Sequence, residues 1–169
     1  MPRRAALRWV LAGAGLALGG CGFRLRGAPT FAFDTLRVQG GESTAVAREL
    51  RATLARGGVT VLAPDMPASI ATPQVVLTVL ADQRERTVVG QTAAGQVREL
   101  QLRTRFRFHL HTPEGKILLD DTELLLERDV SFTESAVLAK EAEEALLYRD
   151  MQSDIVQQVM RRLAAVSSL

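Results

Sequence analysis

"QVRELQLRTRFRFHLHT", residues 96–112, alternates between apolar and polar side chains along nearly its whole length. Leu100, Leu102, Phe106, Phe108 and Leu110 point one way, while Glu99, Gln101, Arg103, Arg105, Arg107, His109 and His111 point the other. Successive side chains of a strand project to opposite faces, so this period of two predicts a strand in a sheet with one dry face. "HTPEGK" (111–116), with Pro113 ahead of Gly115, reads as a tight hairpin leading into "GKILLDDTELLLERDVSF" (115–132), which alternates less cleanly. On the other side, "VVGQTAAGQ" (88–96) is a looser turn joining "PQVVLTVLADQRERTVVG" (73–90), which begins apolar and becomes charged.

Further out, "GGESTAVARELRATLARGG" (40–58) places Val46, Leu50 and Leu54 at helical spacing, with charges on the other face. Glu42 or Ser43 would serve the start of this helix, and Gly57-Gly58 would supply a left-handed stop. Short strands are predicted at Thr35–Val38 and Val59–Ala63, and "PDMPASIATP" (64–73) is a loop. The chain closes on a long amphipathic helix with Thr133 as N-cap, Glu134 in the first turn, Arg161 and Arg162 near the end, and a stripe of Leu147, Met151, Ile155, Val159 and Leu163. Two helices with one apolar stripe each suit one face of a twisted sheet. The predicted fold is α/β (α+β), a two-layer sandwich of two helices packed on one face of a roughly four- to five-stranded mixed sheet.

Residues 1–20 carry the zones of a secretory signal, with Arg3, Arg4 and Arg8 before an apolar segment from Trp9 to Leu18 and then Gly19 and Gly20. That apolar segment is too short to cross a hydrocarbon core of ~30 Å as a helix. Leu18-Gly19-Gly20-Cys21 resembles the lipobox of bacterial lipoproteins, which makes Cys21, the only cysteine, an expected lipidation site. Two or more acyl chains give stable attachment, so the processed protein is expected to be membrane-bound without spanning. The expected organisation is a removed signal peptide (1–20), a lipid-anchored tether (21–34) and one domain (35–169). Removing the signal takes away three arginines, leaving 18 basic side chains against 19 acidic ones. A near-neutral domain gives no support for nucleic-acid binding.

Catalytic groupings are absent from the sequence pattern. His109-x-His111 has metal-ligand spacing, yet nothing nominates a third ligand. Asp120-Asp121 and Glu143-Glu144 are adjacent in sequence, so their carboxylates diverge on a strand or a helix. Ser131 and Ser135 lack a nucleophile-elbow context, and the glycines match no phosphate-cradling spacing. No catalytic residue, metal or cofactor is expected; the pattern is that of a binding or assembly protein. Arg84, Arg86, Arg98, Arg103, Arg105 and Arg107 lie on two adjacent strands, on or near the face away from the apolar stripe. Either they form a solvated face with cross-strand partners such as Glu85, Glu99, Glu123 and Glu127, or they hold phosphates of a glycolipid.

"CGFRLRG" (21–27) directly after the lipobox resembles the mature start of the lipopolysaccharide-assembly lipoprotein family LptE. "GQVRELQL" (95–102) is similar to that family's turn-into-strand segment, and "LAKEAEEALLYRDMQSDIVQQVMRRL" (138–163) to its last helix. The resemblance implies a non-enzymatic protein anchored on the periplasmic side of the outer membrane. It would form a 1:1 complex with the β-barrel LptD, plug and help assemble that barrel, and bind lipopolysaccharide. Gly22, which is not the Asp that commonly retains lipoproteins in the inner membrane, agrees with that location. The family's basic residue at the start of the last helix matches Lys140, whereas its basic residue on the turn before "GQ" is replaced here by Ala93 or Ala94, so that either a nearby arginine such as Arg86 or Arg98 substitutes or direct lipid contact is weaker in this member. The alternative is a periplasmic lipoprotein adaptor that binds another envelope protein.

Overall fold

The alternating stretch forms the middle of the sheet's long half. A computed structural model describes residues 29–67, 69–132 and 137–169. Five strands and two helices follow in order: β1 (Thr35–Gln39), α1 (Ala45–Arg56), β2 (Thr60–Leu62), β3 (Val75–Gln91), β4 (Val97–His111), β5 (Ile117–Ser131) and α2 (Val137–Ala164). The sheet order is β2-β1-β3-β4-β5. β1 runs parallel to β2 and β3, and β3, β4 and β5 are antiparallel. This is the two-layer α+β arrangement that the patterning predicts.

β1 pairs with β3 only from Val75 to Thr78, so most of β3 continues as one side of a three-stranded ribbon with β4 and β5. The inward residues of β4 are buried from Leu100 to Leu110, and Thr104 is buried among them. Beneath α1 and the end of α2 lies the main core, including Leu36, Val38, Leu50, Leu54, Leu77, Phe106, Phe108, Ile155 and Leu163. A smaller cluster of Leu102, Val130, Tyr148 and Met151 extends that core along the ribbon. The packed unit reaches upstream of the first strand, because Phe33 is in the core and Phe31 stacks on it at 5.4 Å. α2 has 28 residues, a span of about 42 Å, which lets one helix cover both clusters. Its apolar stripe is wider than Leu147, Met151, Ile155, Val159 and Leu163, since Tyr148, Val156 and Met160 are buried too.

Several boundaries differ from the sequence reading. The N-cap of α1 is Thr44 rather than Glu42 or Ser43, and its hydroxyl donates to the Gly41 carbonyl instead of capping the helix. The first-turn amides of Val46 and Ala47 are satisfied by Asp82 Oδ2 on β3, at 3.1 and 3.3 Å. At the other end Gly58 alone takes the left-handed conformation, at φ +89°, and Gly57 sits at −79°. Thr133 and Glu134 lie outside the described residues, as do Cys21 and the signal segment.

A β-bulge decides where the arginines of β3 point. Val79 opposes Phe108, and the register then shifts so that Ala81 opposes Arg107 and Asp82 opposes Phe106. One extra residue inverts the alternation. Beyond it the even-numbered residues face the helices, so Arg84 opposes Thr104 and Arg86 opposes Leu102. These two arginines therefore do not lie on the face away from the apolar stripe, as the sequence pattern suggested. Arg98 falls at a further register shift, between Glu99 opposite Gly90 and Val97 opposite Gln91, and is exposed.

Candidate functional site

The helix side of the ribbon meets the first turns of α2 in a groove of about 360 Å³ lined by Arg84, Arg86, Glu141, Glu144, Ala145 and Tyr148. Arg86 Nε lies 3.2 Å from Glu144 Oε2. Arg84 sits over the Tyr148 ring, with its guanidinium carbon 5.1 Å from the centroid, and donates to Gln152 Oε1 at 2.6 Å. Gln152 in turn donates to Glu49 on α1, so the network ties β3 to both helices. Tyr148 donates its hydroxyl to the Glu85 carbonyl at 2.7 Å. Burial, followed by the Glu144 carboxylate, pushes the Tyr148 phenol above its ordinary value. Long arginine stems cover the apolar edge of the ribbon while their heads stay wet, which suits a strand that leaves the core.

Lys140 is in the first turn of α2. Its Nζ lies 2.8 Å from Glu143 Oε2 and 3.3 Å from Ser131 Oγ at the end of β5, and the side chain is 20% exposed. Lys140 and Glu144 are four residues apart and so share a helix face. Because Arg86 contacts Glu144, the structure brings Arg86 and Lys140 to the same helical turns. Arg98 reaches this end of the molecule through its backbone, accepting from the Phe132 amide at 2.8 Å. Its side chain is exposed and pairs with no carboxylate among the described residues. Ala93 and Ala94, in the turn beyond, are exposed and offer no charge.

The opposite face of the ribbon carries the remaining arginines. Arg103 pairs with Glu127 at 2.7 Å, and Arg105 lies between Glu85 at 4.0 Å and Glu123 at 3.5 Å. Arg107 is exposed and makes no ion pair among the described residues. Most of this face is thus the cross-strand ladder that the solvated reading anticipates. Farther along, His109 Nδ1 meets Asp121 Oδ1 at 3.1 Å, while His111 bonds Thr78 Oγ1 and the Thr112 carbonyl. They border an open hollow of about 460 Å³ with Ile117 and Asp120. Both nitrogens of His111 are already engaged, and no group of three or more candidate ligands converges among the described residues.

Sequence reasoning missed Asp82 and the chain from Arg84 through Gln152 to Glu49. The signal available for the first was a carboxylate interrupting an apolar strand; for the second, the chain's only tyrosine beside the helix stripe.

A family model described as "LptE: Lipopolysaccharide-assembly" matches residues 33–163. The chain is similar to a solution structure of uncharacterized lipoprotein B from Nitrosomonas europaea, at 27% identity over 85% of this chain and 91% of that one, with a TM-score of 0.71. The rare lipoprotein B from Shewanella oneidensis shares the fold at 22% identity, 78% and 94% coverage and a TM-score of 0.61. The minor lipoprotein from Acinetobacter baumannii does so at 20% identity, 80% and 94% coverage and a TM-score of 0.60. A search of curated proteins finds no significant match.

Proposed function

The chain belongs to the LptE family of lipopolysaccharide-assembly proteins, and from that premise we propose that it is an outer-membrane lipoprotein that plugs and helps assemble the LptD β-barrel and contacts lipopolysaccharide through Lys140, Arg86 and Arg98. Cys21 carries the lipid in this reading, after removal of residues 1–20, and the residues between it and the packed Phe31 and Phe33 tether the domain to the periplasmic face of the membrane. The protein acts by binding and has no catalytic role.

The observation that carries the lipid contact is that Arg86 and Lys140 pair with neighbouring carboxylates of α2, Glu144 and Glu143, and that Arg86 lines a solvent-open groove there. Lipopolysaccharide phosphates accept from both kinds of cation, arginine through a forked pair of N–H groups and lysine as a point charge. Arg86 comes from β3 rather than from the turn occupied by Ala93 and Ala94, and so supplies a basic group that the turn lacks. Barrel docking is supported by the charged open face of the ribbon, because a barrel lumen is polar and wet.

Binding of the purified protein to lipopolysaccharide at low and high salt tests the contact. Exposed charge contacts are worth about 1 kcal/mol or less, so Lys140→Glu and Arg86→Glu should each weaken binding a few-fold at low salt and less at high salt. Arg98→Glu should act in the same direction. Unchanged binding in the Lys140→Glu/Arg86→Glu double variant, with its circular dichroism intact, would remove the lipid contact and leave barrel assembly as the function. The anchor is tested separately: Cys21→Ser should accumulate as an unprocessed precursor, and normal processing with outer-membrane fractionation would contradict the anchor.

A further inference from the structure

Neither cation that converges on α2 is free. Arg86 is held by Glu144 at 3.2 Å and Lys140 by Glu143 at 2.8 Å, and Glu141 joins Glu144 in lining the groove beside Arg86. An incoming anion must therefore replace a carboxylate that is already seated. Resting on the lipid-contact reading, we propose that Glu143 and Glu144 are built-in competitors that hold the site closed to anions weaker than a phosphomonoester and keep its grip on the glycolipid reversible.

The charges decide the exchange. A carboxylate carries one negative charge, and a phosphodiester, as in ordinary phospholipid headgroups, also carries one. Swapping one for the other on Arg86 or Lys140 is close to break-even. A phosphomonoester carries about −1.5 to −2 at neutral pH and three strong acceptor oxygens, so it displaces the glutamate with a net gain. Arg86 and Glu144 are half-exposed and largely covered respectively, at 50% and 23%, which leaves the arginine head reachable while the carboxylate is kept close by the helix. Lys140 and Glu143 show the reverse, at 20% and 49%, so there the outward-facing carboxylate is the group that swings away. Because the two glutamates sit on one helix, neither has to move more than its own side chain. Both cations are uncovered without a change in the fold.

Removing a competitor should strengthen binding of every anion by the same factor. The test uses full-length protein in detergent micelles, with bisphosphorylated lipid A and phosphatidylglycerol as probes. Wild-type protein should bind lipid A well above phosphatidylglycerol. Glu143→Gln and Glu144→Gln should each tighten lipid A binding about two- to fivefold, the range set by exposed ion pairs, and together by roughly the product. Phosphatidylglycerol should gain the same factor. Asp150→Asn removes the same charge from an exposed position of α2 that makes no ion pair among the described residues, and should have a smaller effect. The competitor role is overturned if the glutamine variants bind lipid A no better than wild type, or if Asp150→Asn tightens binding as much. Equal wild-type affinity for the two lipids overturns the phosphomonoester preference. Failure of every protein to bind lipid A overturns the lipid-contact reading itself, and the competitor role with it.

Discussion

Thr104 has a fully buried side chain whose Oγ1 finds no hydrogen-bond partner among the described residues. It replaces what would be another apolar residue between Leu102 and Phe106, and a buried hydroxyl without a partner pays its desolvation cost in full. Thr104→Val keeps the shape and removes that cost, so the midpoint of urea unfolding should rise, by an amount on the order of 1 kcal/mol. Tyr148 is the opposite case, a buried polar atom with a partner. As the only tyrosine it can be titrated directly by tyrosinate absorbance. Burial and Glu144 favour its neutral form, so it should ionise above the ordinary value of 10.0 in folded protein. The sign for stability follows: the contribution is fully present below pH 10 and is lost as pH rises through the elevated folded value. Titration at or below 10.0 would mean that the phenol is not packed against the ribbon as described. The identities of these residues are plain in the sequence, but their environments are not. Arg84 and Arg86 were legible as charges near the sheet and not as helix-facing residues, because the bulge between Val79 and Ala81 leaves no compositional mark.

Among the elements, α1 was legible in its apolar face and its stop, and misplaced at its start. The reason is that its cap is tertiary: Asp82, 36 residues beyond Val46, accepts from the first turn. No local motif announces a cap supplied by another strand. The same bulge that turns Arg84 and Arg86 inward aims Asp82 at the helix terminus, where a carboxylate also complements the macrodipole. Asp82→Ala should cost about 1 kcal/mol, within the range for losing a cap, and should be read as a lower urea midpoint. If Asp82→Ala unfolds at the wild-type midpoint, the cap contributes nothing. Gly40 belongs to the same junction, with φ +76°, and a Cβ at this position would lie only 2.7 Å from the Val79 carbonyl oxygen. Gly40→Ala should destabilise the protein for both reasons. By contrast β4 was almost wholly legible, since a strand with one dry face writes its period into the sequence.

For the whole molecule, the long β3–β4–β5 ribbon with α2 on one side leaves the other side as a charged sheet face. That face holds Arg103, Arg105 and Arg107, two of them balanced by glutamates on the flanking strands. Reversing all three to glutamate would crowd Glu85, Glu123 and Glu127 with like charge. It should lower the yield of folded barrel if this face docks, and a normal yield would assign docking to another surface. The layer architecture was readable from the order of elements, and the family from the motifs around residues 21–27, 95–102 and 138–163. How the basic groups converge was not readable, because it depends on strand register and on which turn of α2 reaches the end of β5. The proposed partnership with LptD is the claim on which the rest depends, and affinity purification of the tagged, lipidated protein from detergent-solubilised outer membranes puts it to the test. A large barrel, identified by mass spectrometry as LptD, should co-elute in a 1:1 ratio. Recovery of the protein without that barrel, from membranes in which LptD is present and folded, would contradict the partnership.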